Sequence, residues 1–341
     1  MSRFGFSGGG EHATWLGRVV EPVIDLERPI VDAHHHLWMR DGAPYLFPEL
    51  LEDLDTGHNV VATVFAECHS MYRAHGPEAM KPVGETEFVA GVAAMSDSGQ
   101  FGSTRACRAM FGAVDLSLGG AAEPVLEAHI MASGGRFRGI RASTCWHPDP
   151  KMHRVVPDEG VLLRLATLEV CALLERMGLV LDSWVYHTQL KEVMVVADRF
   201  PNLSIVLDHF GTPILGGPFR GRREDVLAEW RRDLRELARR PNVTIKLGAL
   251  PIRTGESQVD RSLPPTSQEV ESAWRLWFEE AVMAFGAHRA MFESNFPVHK
   301  NWCAYTVHWN ACKRLSSGMS ETEKDNLFRN TAAGVYRIDL A

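Results

Sequence analysis

Short apolar runs alternate along this chain with longer stretches in which apolar residues recur at helical spacing. The short runs, Ile30–His36, Val60–Cys68, Arg108–Leu116, Phe137–Ser143, Leu179–His187, Leu203–His209, Val243–Leu250 and Arg289–Asn295, read as strands. Helical patterns fill Gly160–Met177, Gln189–Phe200, Arg223–Arg240 and Gln268–Phe285. Parallel strands require crossover helices, and about eight strand–helix units in one chain of 341 residues predict a closed (β/α)8 TIM barrel over an open doubly wound sheet. No glycine-rich phosphate loop follows the first strand, which counts against a dinucleotide-binding sheet. The expected organisation is an N-terminal arm over residues 1–28 and a single barrel domain over 29–341.

Composition narrows the class. With 45% hydrophobic and 23% charged residues and no long apolar run, the chain reads as an ordinary soluble globular protein without a membrane span. Its net charge of -7 is spread over interspersed acids and bases, so no basic stripe is available for nucleic acid. Met1 to Gly10 are glycine-rich and lack the apolar segment of a secretory signal. The six cysteines are scattered, without paired spacing. Reduced thiols and a cytoplasmic location are expected.

Barrel enzymes place their chemistry where strands end at their carboxyl side. Strand one closes with His34, His35 and His36; alternation puts His34 and His36 on one face and His35 on the other, a geometry suited to a metal ion. Strand two closes with Glu67, Cys68 and His69, where alternation aligns Glu67 with Phe65 and His69; strand five closes with Tyr186 and His187, and strand six with Asp208 and His209. Histidines at several strand ends converge on one mouth. Glu67 and His299, just beyond Pro297, would add a carboxylate and another imidazole to the ligands. Arg141, at the end of strand four, and Tyr186 are candidates for orienting a small polar substrate.

These residues resemble the amidohydrolase superfamily, in its branch of small metal-dependent barrels that includes sugar lactonases and decarboxylases. The resemblance runs from Pro29 to Ile338 and rests on Asp32-Ala33-His34-His35-His36, His187, Asp208-His209-Phe210-Gly211 and Ser294-Asn295-Phe296-Pro297. It implies that His34, His36, His187 and His209 bind metal, and Lys246-Leu247-Gly248 fits its strand-seven pattern. Strand eight departs from it. Hydrolytic members usually end this strand Gly-Ser-Asp, and the aspartate binds metal or moves the proton of the attacking water. Here the stretch reads Glu293-Ser294-Asn295. Neutral Asn295 cannot act as a base, and Glu293 shares its face one layer deeper, as a catalytic candidate or as a buried partner of an Arg or Lys.

Nitrogen and oxygen donors beyond the four of a zinc site favour iron or manganese, with zinc as the alternative. Three functions follow. One is a dinuclear non-heme monooxygenase (Fe/Fe or Fe/Mn) acting on a small polar molecule, which by the resemblance implies a reductase and ferredoxin and a related barrel subunit in an oligomer. The second is a metal-dependent hydrolase of a lactone or amide. The third is a non-catalytic barrel subunit. Loss of the strand-eight aspartate tilts this reading to the first. The loop Pro251–Thr266 is expected to be a lid or subunit contact, and Trp38, Trp146 and Trp184 to pack loops on the mouth. His58, His75, His129, His153, His288 and His308 are expected to be exposed.

Overall fold

The structure, a computed structural model, describes residues 10–40, 43–250 and 262–340. Eight parallel strands hydrogen-bond in chain order: β1 (Ile30–His35), β2 (Val60–Ala66), β3 (Arg105–Gly112), β4 (Phe137–Ser143), β5 (Val180–Trp184), β6 (Ile205–Leu207), β7 (Val243–Leu247) and β8 (Ala290–Phe292). Residues just past β8 return to β1, where Asn295 N donates to His34 O (2.8 Å) and His36 N donates to Phe296 O (2.8 Å). The expected (β/α)8 barrel is the observed fold. A helix follows each strand, from Phe47–Leu54 after β1 to Tyr305–Leu315 after β8. Most of Pro251–Thr266 lies outside the described residues.

Alternation sorts each strand between two apolar layers. Val31, Ala33, Val64, Phe111, Val206 and Met291 point into the barrel, while Phe65, Ile140, Leu181 and Ile245 face the helices. On β4 a side chain at Gly139 would collide with its neighbour, since a Cβ there would lie 1.9 Å from O of Val180, its register partner on β5. Tyr336 and Ile338, from the C-terminal segment, join the inner layer, and the Tyr336 hydroxyl donates to Asp182 on β5 (3.0 Å). Tyr336→Phe removes a hydrogen bond to a buried carboxylate and is expected to cost about 2 kcal/mol, read as a lower urea midpoint with unchanged slope.

Third-strand bounds differ from the expected Arg108–Leu116. Ser96 Oγ and Thr63 Oγ1 accept from the backbone of Ala106 and Cys107 (both 2.9 Å), which extends pairing backwards. Asp115 accepts from Ser117 N (2.9 Å) and turns the chain into a short helix, which ends the strand early. Residues 21–24 are tied to the helices Ser267–Phe285 and Tyr305–Leu315, with Glu21 accepting from Ser267 N (2.7 Å) and Asn310 accepting from Ile24 N (2.9 Å). All six cysteines are buried and free. His58, His129 and His308 are also buried, contrary to expectation. Burial lowers the pKa of His58 and of His129 to about 4, and each ring has partners: Lys313 for His58, and Thr86 and the Ala113 carbonyl for His129. No described helix is long and apolar enough to cross a membrane.

Candidate metal centre and active site

The site begins with a register slip in β1. Asp32 pairs with Thr63 and His35 with Phe65, so β1 spends one residue more than β2 over this stretch. Without the slip, His35 would continue the inward face of Val31 and Ala33. With it, His34 and His36 turn into the barrel, and His35 turns out to Thr63 Oγ1 (2.8 Å) and Cys107. Asp32 holds the slipped segment, accepting from His34 N (3.3 Å), Ser294 N (2.9 Å), Ser294 Oγ (2.6 Å) and Tyr305 OH (3.0 Å).

His36 Nδ1 lies 2.9 Å from Ala66 O and must carry the proton, because a carbonyl only accepts. Burial, then His34 and Arg141, push the His36 pKa well down, so the ring is neutral and Nε2 presents a lone pair. That Nε2 faces His34 Nε2 at 3.2 Å and Asn295 Oδ1 at 3.1 Å. Arg141 Nη1, a donor, sits 3.3 Å from His34 Nε2, which favours a lone pair there too. Acceptors converging on one point call for a cation between them. Two imidazole nitrogens on a tetrahedral ion at zinc distances are about 3.3 Å apart, matching the observed separation. The donor chemistry therefore fits a divalent metal.

His34, Asp208 and His209 supply ligand atoms within 4.8 Å of one another, all buried. Glu293 Oε1 holds His209 through Nδ1 (2.6 Å) and the backbone N (3.2 Å). Glu293 Oε2 and Lys246 Nζ each lie 3.2 Å from His34 Nδ1. Lys246, wholly buried, pairs with Asp182 (2.5 Å) and Asp208 (3.1 Å). Burial would raise Asp208, but Lys246 and then His34 hold it well below the ordinary carboxylate range; Asp182, where burial prevails, is pushed up to about 6.

On the other side of Arg141 from His34, Glu67 Oε1 accepts from Arg141 Nε (2.8 Å) and Ser143 Oγ (3.3 Å), while the buried Oε2 has no hydrogen-bond partner. Burial pushes Glu67 up, and Arg141 outweighs it, keeping the carboxylate ionised. Glu67 lies one residue past β2 with its N still in the ladder to Phe111 O (3.1 Å), and its side chain enters the cavity; the expected shared face with Phe65 is wrong, since Phe65 packs on His35 in the outer layer. His36, Glu67, Arg141, His209 and Asn295 line one cavity of about 420 Å³ with Trp38 and Trp184 in its wall. Behind Glu67, buried Glu85 accepts from Cys68 N (3.0 Å) and Ser70 N (2.8 Å), fixing the loop that carries His69. Burial, and then Glu67, push Glu85 up to about 8. A raised carboxyl favours the folded state when protonated, so its contribution fades as pH climbs from about 4.5 through about 8. Glu85→Gln should flatten the stability–pH profile there, by at most about 1.4 kcal/mol per pH unit, in urea melts compared with wild type.

Four expected residues sit elsewhere or differently. β5 ends at Trp184, so His187 opens a turn; its Nδ1 accepts from Ile214 N (3.3 Å) and its ring meets Phe219, apart from the group around His34. Tyr186 donates to His153 O (2.8 Å) and does not line the cavity. His299 is buried among Trp274, Phe296 and His308. Asn295 does reach the cavity, as a partner of His36 rather than a base. Missed as site residues were Asp208, Lys246 and Asp182. A charged residue within an apolar strand, as Asp182 and Lys246 are, was the available signal.

A family sequence profile described as amidohydrolase matches residues 31–338. The chain belongs to the amidohydrolase family. Protein y4mH of Sinorhizobium fredii is 30% identical to it over 340 residues, covering 91% of this chain and 98% of that protein. An L-fucono-1,5-lactonase of Burkholderia multivorans is 28% identical over 320 residues, 90% of this chain and 96% of the lactonase. Among solved structures, a zinc-bound amidohydrolase from Burkholderia multivorans shares the fold at a TM-score of 0.68 and 24% identity, covering 91% of this amidohydrolase and 99% of that chain.

These relatives correct the expectation of a dinuclear monooxygenase. The named relative is a lactone hydrolase, and neither iron nor oxidation chemistry is supported for this amidohydrolase. The error has a physical source. Asn295 leaves the strand end without its usual carboxylate, yet Glu293, two residues earlier, places a carboxylate against His34 and His209.

Proposed function

We propose that this amidohydrolase is a divalent-metal-dependent hydrolase of a small polar lactone, with zinc as the first ion to test. The observation that carries the reading is the convergence of acceptors from His34, His36 and Asn295 on one point of a cavity that is also lined by the ionised, half-partnered carboxylate of Glu67, linked to His34 through Arg141. The lactonase relative supports the substrate class. His34, His36, His209 and Asp208 would hold the ion, which when bound polarises a carbonyl and makes water a better nucleophile.

The chain's own residues would do the rest. Lactone hydrolysis needs one proton taken from water and one delivered to the departing ring oxygen. Glu67 Oε2, with a vacant acceptor position at the cavity wall, takes the proton of the attacking water, and the carboxylic acid so formed delivers it to the departing ring oxygen. His69 Nε2 stands 3.7 Å from that oxygen on an exposed side chain, placed to pass protons to and from solvent. Arg141 keeps Glu67 charged and fixed, and Trp38 and Trp184 narrow the cavity around a compact ring.

The test is acid release in a pH-stat from a panel of sugar-acid 1,5-lactones, using protein stripped with chelator and reloaded with zinc. Metal-dependent turnover is expected, and Glu67→Gln should lower kcat about 10²–10⁴-fold with metal content unchanged. No hydrolysis of any lactone by fully loaded protein would sink the reading.

A further inference from the structure

One buried carboxylate faces two of the proposed ligands at once. Glu293 Oε1 takes both the ring Nδ1 and the backbone N of His209, at 2.6 and 3.2 Å, and Glu293 Oε2 lies 3.2 Å from His34 Nδ1, a nitrogen that Lys246 Nζ approaches equally closely from its other side. His209 therefore keeps Nε2 for the cavity it lines, and His34 keeps Nε2 for the point it shares with His36. The backbone at His209 is itself held at a φ of 55°, in the left-handed region, which a fixed backbone N helps to maintain. Room for the carboxylate comes from the neighbouring strand end. A Cβ on Gly248, just past β7, would stand 2.5 Å from Glu293 Cγ and 2.4 Å from Glu293 O.

We propose that Glu293 is the positioning residue of the metal centre, setting the ring orientation of both His209 and His34 from behind, and that Gly248 lacks a side chain in order to admit it. The inference rests on the metal-dependent reading of the site and adds to it which residue orients the ligands. A ligating imidazole is oriented and made more basic by a carboxylate on its other nitrogen, and changing such a partner typically weakens metal binding about 10–100-fold. Glu293 does this for two imidazoles with one side chain.

The experiment titrates chelator-stripped full-length protein with Co²⁺, reading affinity and the visible absorption of the bound ion, with circular dichroism and thermal melting as checks on folding. Glu293→Gln keeps the shape and an acceptor oxygen but removes the charge; Gly248→Ala keeps the charge but displaces the carboxylate. Both are expected to weaken Co²⁺ binding about 10–100-fold and to shift the absorption bands while the fold persists. Should Gly248→Ala fail to fold, Glu293→Gln decides alone. Wild-type affinity and an unchanged spectrum in Glu293→Gln overturn the assignment while leaving the metal-dependent reading intact. A wild-type chain that takes up no Co²⁺ overturns both.

Discussion

His34→Ala and His209→Ala are each expected to leave purified protein without bound metal. His34 sits where the ligand geometry is densest: its Nε2 faces His36, and it belongs with Asp208 and His209 to the group of donors within 4.8 Å. Removing an imidazole takes away a donor and opens a hole too polar to stay dry, so affinity should fall by more than the roughly 10–100-fold produced by changes behind the ligands. Lactone hydrolysis should vanish with it. His187→Ala supplies the internal control, because that ring meets Phe219 and Ile214 instead of the cluster, and its metal content should match wild type. Elemental analysis checks all three; full occupancy in His34→Ala or His209→Ala would remove that residue from the ligand set.

Lys246→Met should be the most destabilising single change in the barrel. Its ammonium is wholly buried between Asp182 and Asp208, 4.5 Å from the Phe111 ring centroid, and keeps its proton because the two carboxylates outweigh burial. A methionine of similar length leaves those carboxylates facing each other in a dry interior. Breaking a buried ion pair from one side costs about 3–5 kcal/mol, and two carboxylates share this cation. Urea unfolding should show that loss at neutral pH. Part of it should return on acidification, because protonation of Asp182, pushed up to about 6, discharges one unpaired group. A midpoint within experimental error of wild type would show that the lysine is not the neutralising partner. Weaker metal binding should accompany the instability, since Asp208 would lose its fixed position.

The barrel was legible because its signal is periodic and repeated. Each strand's alternation and each helix's spacing point to the same topology, and a local boundary error, as in the third strand, does not alter it. Strand-end chemistry was legible by residue type only. His34, His36 and His209 meet across the mouth because β1 and β6, which are not neighbours, end at the same rim of a closed ring, whereas His187 follows its strand by three residues and escapes into a turn. Glu67 shows the converse, since alternation placed it with Phe65 on a face that the strand does not use for it, and it enters the site by breaking the pattern.

By itself, the sequence determined the strand–helix alternation, the metal-binding character of the rim and the absence of an aspartate at position 295. Only the tertiary structure decided which imidazoles share a point, because a one-residue slip against β2 reverses which of the three consecutive histidines face inward. It likewise decided that Glu293, Lys246 and Asp182 belong to the site. Charges spaced far apart in sequence become partners only when strands close into a ring and deny each of them water.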